Sequence, residues 1–484
     1  GTLAGAPKPR EATLSRPVVA IVTGSGRIMS INADIFREYD IRGIVDRDFT
    51  GDTPELIGRA FASEVRASTG ADRPRIVVGR DNRPSSPMLA AAVIRGALAA
   101  GVDVIDVGTV PTPVLYYAAE HFRADAGLQV TGSHNPPEYN GFKMLIGGRA
   151  LYGPAIQRLR ARIETGDFTA GEGRGEEQDV LAAYVDDVSG RFSPARRIRV
   201  VVDCGNGTGS LVAVRLLERI GADVVPLYCE SDGTFPNHHP DPVVDENLED
   251  LIALVRAEGA ELGIAFDGDA DRIGVVDERG EIVRGDLLLL LYALDVLERR
   301  GPGQPLIFDV KCSQAVAEVY RAAGGEPIMW KTGHSLIKEK MRETGAPVAG
   351  ELSGHICFAD DYYGFDDALY AACRLVDLLS RREQPLSSLI NAFPKYVSTP
   401  EIRVDVPESE KFGIVRRAVE EFGRDHEVID VDGARVVFDG GWGLLRASNT
   451  QPVLVLRYEA TSEERLAEIR REFEDWLAKN GVST

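Results

Sequence analysis

The stretch Arg75-Ile-Val-Val-Gly-Arg-Asp81 is a short apolar run that ends in a polar turn. The chain writes the same pattern twice more, as Arg199-Val-Val-Val-Asp-Cys-Gly-Asn206 and Pro305-Leu-Ile-Phe-Asp-Val-Lys-Cys312. Runs this rich in aliphatic and β-branched residues, without polar alternation, read as strands buried on both faces. Each is followed by a helical stretch that stops at glycine: Gly101, Gly221, and the Gly324-Gly325 pair. A second strand then follows, Val102 to Val107, Ala222 to Leu227 and Glu326 to Trp330. Strand–helix–strand alternation predicts βαβ units. The expected fold class is α/β, with three similar α/β domains whose mixed sheets are mainly parallel.

Working outward, each unit has a further apolar strand that leads into a polar, glycine-containing loop. These loops are Thr131-Gly-Ser-His-Asn-Pro-Pro137, Asp267-Gly-Asp-Ala-Asp-Arg272 and Gly350-Glu-Leu-Ser-Gly-His355. Ligands of open α/β sheets bind beyond the carboxyl ends of strands, so three loops at equivalent strand ends can face one central cleft. Past Pro394 the pattern changes. Strands such as Glu401 to Val406 and Val453 to Tyr458 flank helical segments around Val415 to Phe422 and Glu463 to Leu477, which predicts a small C-terminal α+β domain. Residues 1 to 30 fit neither pattern and read as an extension, flexible or tag-derived.

The bulk numbers set limits. A chain of 484 residues implies several domains. Its 44% hydrophobic and 27% charged residues are an ordinary globular balance. No apolar run approaches the ~20 residues of a membrane helix, and no secretory-signal pattern stands out. A net charge of −20 argues against nucleic acid, and it requires a local basic pocket for any anionic ligand. The five cysteines are scattered, without C-x-x-C spacing. This indicates neither a disulfide framework nor a zinc site, and fits reduced thiols in a cytoplasmic protein.

The three loops carry chemistry. Asp267, Asp269 and Asp271 are too repulsive to sit together without a cation. A calcium loop of the EF-hand type is the rival reading, since Glu278 falls at its twelfth position. That loop requires glycine at its sixth position, where Arg272 stands, and the flanks read as strands. Magnesium shared with a phosphate suits an oxygen-only site better. Ser133 lies between Gly132 and Asn135-Pro136, a tight turn that presents its hydroxyl. His134 beside it can orient or neutralise, and Lys143 in Tyr139-Asn-Gly-Phe-Lys143 can serve acid–base or charge-stabilising work. Glu351, Ser353 and His355 alternate, and on a strand-like segment would point the same way, toward the hydroxyls of a sugar. Arg446-Ala-Ser-Asn-Thr-Gln-Pro452 offers Arg446, Ser448, Asn449 and Thr450 as a phosphate nest, with a plain hairpin connection as the alternative. Phe36-Arg-Glu-Tyr-Asp-Ile-Arg-Gly43 places Tyr39 and Arg42 in a turn that could face the cleft.

Taken together, FREYDIRG, TGSHNPPEYNGFK, DGDADR, GELSGH and RASNTQP resemble, in order, the motifs of the α-D-phosphohexomutase family, and most closely its bacterial phosphomannomutase/phosphoglucomutase branch. The resemblance covers the chain from about Asp34 onward. It implies four domains around a central cleft: a phosphoserine-loop domain (31–180), a metal-loop domain (181–284), a sugar-binding-loop domain (285–396) and a phosphate-binding C-terminal domain (397–484). It makes Ser133 the phosphoserine, and Asp267, Asp269 and Asp271 the Mg2+ ligands with an oxygen of phosphorylated Ser133. It makes Glu351, Ser353 and His355 readers of sugar hydroxyls, and Arg446, Ser448, Asn449 and Thr450 holders of the non-reacting phosphate. Tyr39, Arg42, Lys143, Arg272, Lys311 and His334 become the remaining cleft residues; Lys311 and His334 are placed by the resemblance alone. Ala270 stands where relatives often have glycine.

The activity implied is interconversion of hexose 6-phosphate and hexose 1-phosphate through a bound hexose 1,6-bisphosphate, which also acts as activator. The partners are small-molecule hexose phosphates, with no nucleic acid and no membrane, and the expected state is a monomer. Gly132 and the RASNT wording favour glucose and mannose phosphates over the glucosamine phosphate of a sister branch. Two rivals are a sugar-phosphate phosphatase and a catalytically silent binding protein. The phosphatase would need a DxDx(T/V)-type sequence, and Asp267-Gly-Asp-Ala-Asp271 lacks the hydroxyl or branched residue at its end.

Overall fold

The computed structural model describes residues 18–22, 28–449 and 451–482. The three repeated runs become the central strands of three sheets. In the first, Arg75–Arg80 lies between Asp103–Thr109 and Ala126–Val130, both parallel to it, and Tyr139–Ile146 adds antiparallel to the last. In the second, Arg199–Asp203 lies between Asp223–Leu227 and Leu262–Phe266, and Ile273–Asp277 adds antiparallel. In the third, Pro305–Asp309 lies between Glu326–Trp330 and Val348–Gly350, and Ile356–Phe358 adds antiparallel. The three chemically loaded loops are therefore the same loop three times: the turn from the last parallel strand into the antiparallel one. The expected mixed, mainly parallel α/β architecture is the one observed.

Burial explains why these runs read as continuous apolar segments. Every residue of Ala126–Val130, Leu262–Phe266 and Val348–Gly350 is buried. Each fully buried Leu, Ile or Phe contributes about 1.5–3 kcal/mol. One apolar core extends from Val77 and Val114 through Val200, Leu262 and Leu289 to Leu379, so the three α/β units pack as one body. Helix starts are fixed locally: Ser313 caps Gln314–Ala322 by accepting from the Ala315 amide, and Asp367 caps Ala368–Ser380 by accepting from the Tyr370 amide.

The C-terminal unit is an antiparallel sheet of Val397–Ser398, Ile402–Asp405, Glu427–Ile429, Ala434–Phe438, Gly441–Ala447 and Val453–Ala460. Helices Lys411–Phe422 and Glu463–Lys479 cover it, with a core of their own around Leu445, Leu456 and Phe473. Arg435 ties this unit to the third sheet. Fully buried, it donates to the carbonyls of Val310 (2.6 Å) and Cys312 (2.8 Å) and stacks 3.7 Å from the Trp442 ring centre.

The expected extension at 1–30 lies largely outside the described residues. Within it, Val18–Val22 pairs antiparallel with Ile28–Asn32. No described helix is long and apolar enough to cross a membrane.

Candidate active site

Ser133 is buried, and its backbone is left-handed (φ 50°), a conformation that costs a non-glycine residue about 1–3 kcal/mol and persists only where surroundings enforce it. The enforcement comes from Asp81 and Arg83, at the end of the first repeated strand. Asp81 accepts from the Gly132 amide (2.9 Å) and from Arg83 Nε (3.0 Å). The buried Arg83 guanidinium then donates to the carbonyls of Ser133 (2.9 Å), Asn135 (2.6 Å), Pro136 and Tyr139 (3.2 Å). A β-carbon at 132 would overlap the Arg83 side chain, which is why glycine precedes the serine. The Ser133 hydroxyl donates to Asp267 Oδ2 at 3.0 Å, and His134 Nδ1 lies 2.8 Å from Asp241 Oδ2. Burial and the nearby Arg272 push His134 down to about 4, so it is neutral near pH 7 and donates to Asp241.

The aspartate loop turns back on itself through Ala270, whose φ is 58°. The backbone geometry, not the size of the side chain, is what makes glycine the easier residue there. All three aspartates are fully buried. Asp267 Oδ1 takes the amides of Asp271 (3.0 Å) and Arg272 (3.1 Å). Asp269 Oδ2 takes Thr131 Oγ1 (3.1 Å), Lys143 Nζ (2.8 Å) and Thr112 Oγ1, and Lys143 also pairs with Asp271 Oδ2. Burial and the two neighbouring carboxylates push Asp267 well up, whereas Lys143 and Thr112 hold Asp269 below the usual range in spite of burial. Burial would discharge Lys143; Asp269 and Asp271 instead raise it above its ordinary value. Asp269 Oδ1 and Asp271 Oδ1 are buried without a donor, and carboxylate oxygens of the three aspartates lie within 4.8 Å of one another. Such an all-oxygen set fits a hard divalent cation.

The third loop corrects the expectation of a strand. Glu351 to His355 form a turn closed by the Gly354 amide on Glu351 O and the Glu351 amide on His355 O, both 3.0 Å. Glu351 is buried, raised by burial, and accepts from the Gly333 amide at 2.6 Å; Ser353 is half-buried. His355 Nε2 accepts from Arg272 Nε at 3.0 Å, joining this turn to the aspartate loop. His334 opens the helix His334–Thr344 and stacks on His355, ring centres 4.9 Å apart. The buried Asp366 holds both rings, 2.8 Å from His334 Nδ1 and 3.1 Å from His355 Nδ1, and Lys338 Nζ donates to its other oxygen at 2.6 Å.

The remaining candidates, apart from Arg42, lie at the seam with the C-terminal unit. The Tyr39 hydroxyl donates to Thr332 O (2.9 Å) and accepts from Asn449 Nδ2 (2.8 Å), bridging the first unit to the last. Arg42 reaches Asn135 Oδ1 (2.6 Å) and pairs with Asp40. Lys311 meets Glu401 (3.3 Å), and Arg446 meets Asp432 (3.0 Å). Ser448 Oγ accepts from the Gln451 amide at 3.2 Å. Thr450 lies outside the described residues.

Family models for phosphoglucomutase/phosphomannomutase match the chain in four consecutive pieces: α/β/α domain I at 33–170, domain II at 182–280, domain III at 284–396 and the C-terminal domain at 401–475. The chain belongs to the phosphoglucomutase/phosphomannomutase family. Among relatives, a phosphomannomutase/phosphoglucomutase of Pseudomonas aeruginosa is 49% identical over 93% of this chain and 96% of its own. A phosphoglucomutase of Neisseria gonorrhoeae is 46% identical over 93% and 98%. A crystal structure of a phosphoglucomutase/phosphomannomutase family protein from Burkholderia thailandensis superposes with a TM-score of 0.87 at 47% identity, covering 94% of this chain and 99% of that one.

In this member of the phosphoglucomutase/phosphomannomutase family, sequence reasoning missed the supports. Arg83 stands two residues beyond the run that ends at Asp81, and its charge after a buried strand was the available signal. Asp366 and Lys338 carried no signal, because Tyr363-Gly-Phe-Asp-Asp367 reads as a helix cap.

Proposed function

We propose that the chain is a phosphohexomutase that interconverts hexose 6-phosphate and hexose 1-phosphate of glucose and mannose, with Ser133 as the phosphoryl carrier. The observation that carries this reading is the Ser133 hydroxyl, held in a left-handed turn by Arg83 and set 3.0 Å from Asp267. Phosphorylated Ser133 gives its phosphoryl group to a free hydroxyl of the bound hexose phosphate. The Ser133 Oγ–P bond breaks and a sugar O–P bond forms, giving a 1,6-bisphosphate. The bisphosphate turns end for end, and its other phosphoryl group returns to Ser133.

Asp267, Asp269 and Asp271 would hold Mg2+, which when bound neutralises charge on the transferring phosphoryl oxygens. Lys143 and Arg272 add fixed positive charge where that charge develops. His334, pushed down to about 4 by burial, is neutral, and Asp366 at Nδ1 leaves Nε2 to take the proton of the attacking hydroxyl. Glu351, Ser353 and His355 read sugar hydroxyls. Arg446, Ser448, Asn449 and Thr450 hold the non-reacting phosphate, Tyr39, Arg42 and Lys311 complete the substrate-binding cleft, and the Tyr39–Asn449 contact supports closure of the last unit against water. The division at 31–180, 181–284, 285–396 and 397–484 belongs to the same reading and is supported by one sheet per segment. A cytoplasmic monomer acting on small-molecule hexose phosphates completes it.

Coupled assays with glucose 1-phosphate and mannose 1-phosphate test the proposal. Both substrates should turn over with added Mg2+ and hexose 1,6-bisphosphate, and EDTA should abolish turnover. Net release of inorganic phosphate in place of the 6-phosphate would refute it.

A further inference from the structure

The five cysteines are scattered in sequence, but the fold brings two of them together. Cys204 directly follows the strand Arg199–Asp203, and Cys229 lies two residues beyond Asp223–Leu227. These strands pair in parallel with Asp203 opposite Leu227, and the pairing continues past the sheet. The Cys204 amide donates to Leu227 O (3.1 Å) and the Asn206 amide to Tyr228 O (2.9 Å). The two Sγ atoms come within 2.9 Å, a thiol–thiol contact. Cys204 is buried and Cys229 is half-buried, so Cys229 is the more accessible residue of the two.

We propose that Cys204 and Cys229 form an oxidisable dithiol site, which peroxide closes reversibly to a disulfide and which acts on the catalytic loops through the Gly205–Thr208 turn. The hydrogen bond from Cys204 lowers the Cys229 thiol, while the same contact raises Cys204 well above its ordinary value, so Cys229 is the thiolate that reacts first. The Cys229 thiolate attacks one peroxide oxygen and the O–O bond breaks. The sulfur becomes a sulfenic acid, and the departing hydroxide takes up a proton as water. Cys204 sulfur then attacks the sulfenic sulfur. The S–S bond forms, and the sulfenic oxygen leaves as water with the Cys204 proton, a two-electron oxidation in all.

The turn beyond Cys204 links this chemistry to the site. A disulfide needs about 2.05 Å between sulfurs, so the pair must close by about 0.9 Å. Gly205 and Asn206 are already left-handed (φ 49° and 58°), and the Gly207 amide is tied to Cys204 O at 2.8 Å. Thr208 donates through its amide (3.0 Å) and hydroxyl (3.2 Å) to Gly268 O, inside the aspartate loop. Asn206 O accepts from Asn82 Nδ2 at 2.7 Å, next to Arg83. Movement of Cys204 is therefore passed to the backbone of the aspartate loop, and through the Asn82 side chain to the segment that carries Arg83. The link to turnover rests on the proposed mutase activity; the thiol chemistry does not.

The test treats reduced, folded protein with hydrogen peroxide, alkylates it, and maps its peptides. A Cys204–Cys229 linked peptide is expected in the wild type, removed by dithiothreitol and absent from both C204S and C229S, with dimedone trapping Cys229 in C204S. Hexose phosphate turnover should fall several-fold on oxidation and return with dithiothreitol. Absence of the linked peptide, or its appearance only in urea, overturns the site. A linked peptide with unchanged turnover overturns its action on the loops. A reduced enzyme inactive from the outset would count against the mutase reading, while the peptide map still decides the thiol chemistry.

Discussion

Arg83 and Gly132 occupy complementary space: the guanidinium that holds the serine turn fills the volume a β-carbon at 132 would need. G132A should therefore displace Arg83 and cost about 1–3 kcal/mol of stability, the usual penalty of overpacking. Turnover should fall at least tenfold, because the Ser133 carbonyl loses its anchor. Thermal unfolding and steady-state kinetics on the purified variant check both effects.

Asp366 binds two imidazoles and one ammonium with a single carboxylate. Replacing it with asparagine leaves Lys338 buried beside the Tyr116 ring without its charge partner. D366N should lose about 3–5 kcal/mol, the cost of stranding a buried charge. The double variant D366N/K338M should recover most of that stability but not the turnover, since His334 and His355 stay unheld. Urea midpoints and kcat for the wild type and the two variants separate the two roles.

Glu401 supplies a pH signature. Burial would raise its carboxyl, but Lys311 and Arg403 outweigh burial and hold it at about 2, below the ordinary 4.5. A depressed carboxylate stabilises the fold above its unfolded pKa and loses that contribution as pH falls through the folded one. At neutral pH, E401Q should therefore be less stable than wild type by up to about 3 kcal/mol. The gap should narrow as pH falls from 4.5 toward about 2. Urea unfolding of both proteins across that range measures it.

Arg435 anchors the C-terminal unit through two carbonyls and a tryptophan face, so R435A leaves both carbonyls buried and unpaired. A loss of about 3 kcal/mol is expected from those groups together. R435K should not rescue it, because an ammonium cannot stack and fork as a guanidinium does. Limited proteolysis, with cleavage moving toward residues 394–400, reports the undocking.

Much of the fold is legible in sequence because parallel strands buried on both faces announce themselves, and three copies of one unit repeat the signal. The Ser133, Asp267 and Glu351 loops align on that repeat alone. What stays hidden depends on approach between segments far apart in sequence. Arg83 bonds to carbonyls some fifty residues away, and Asp366 joins two loops through side chains alone. No local spacing encodes such contacts. The turn at 351–355 reads as a strand in sequence because alternation of side chains is shared by both forms, whereas it is Gly354, with φ 88°, that closes it. The charge puzzle also resolves locally: in an acidic chain, Lys143, Lys311 and Arg446 each meet a carboxylate, which fixes them before a phosphate arrives.

The central claim is that Ser133 carries the phosphoryl group, and the direct measurement is its occupancy. The protein is incubated with hexose 1,6-bisphosphate labelled in its phosphates, then digested and mapped by mass spectrometry. The account predicts one labelled phosphate on the Ser133 peptide, lost when excess unlabelled hexose 6-phosphate is added, and neither label nor mutase turnover in S133A. Label on another residue, or an S133A enzyme as active as wild type, would contradict it.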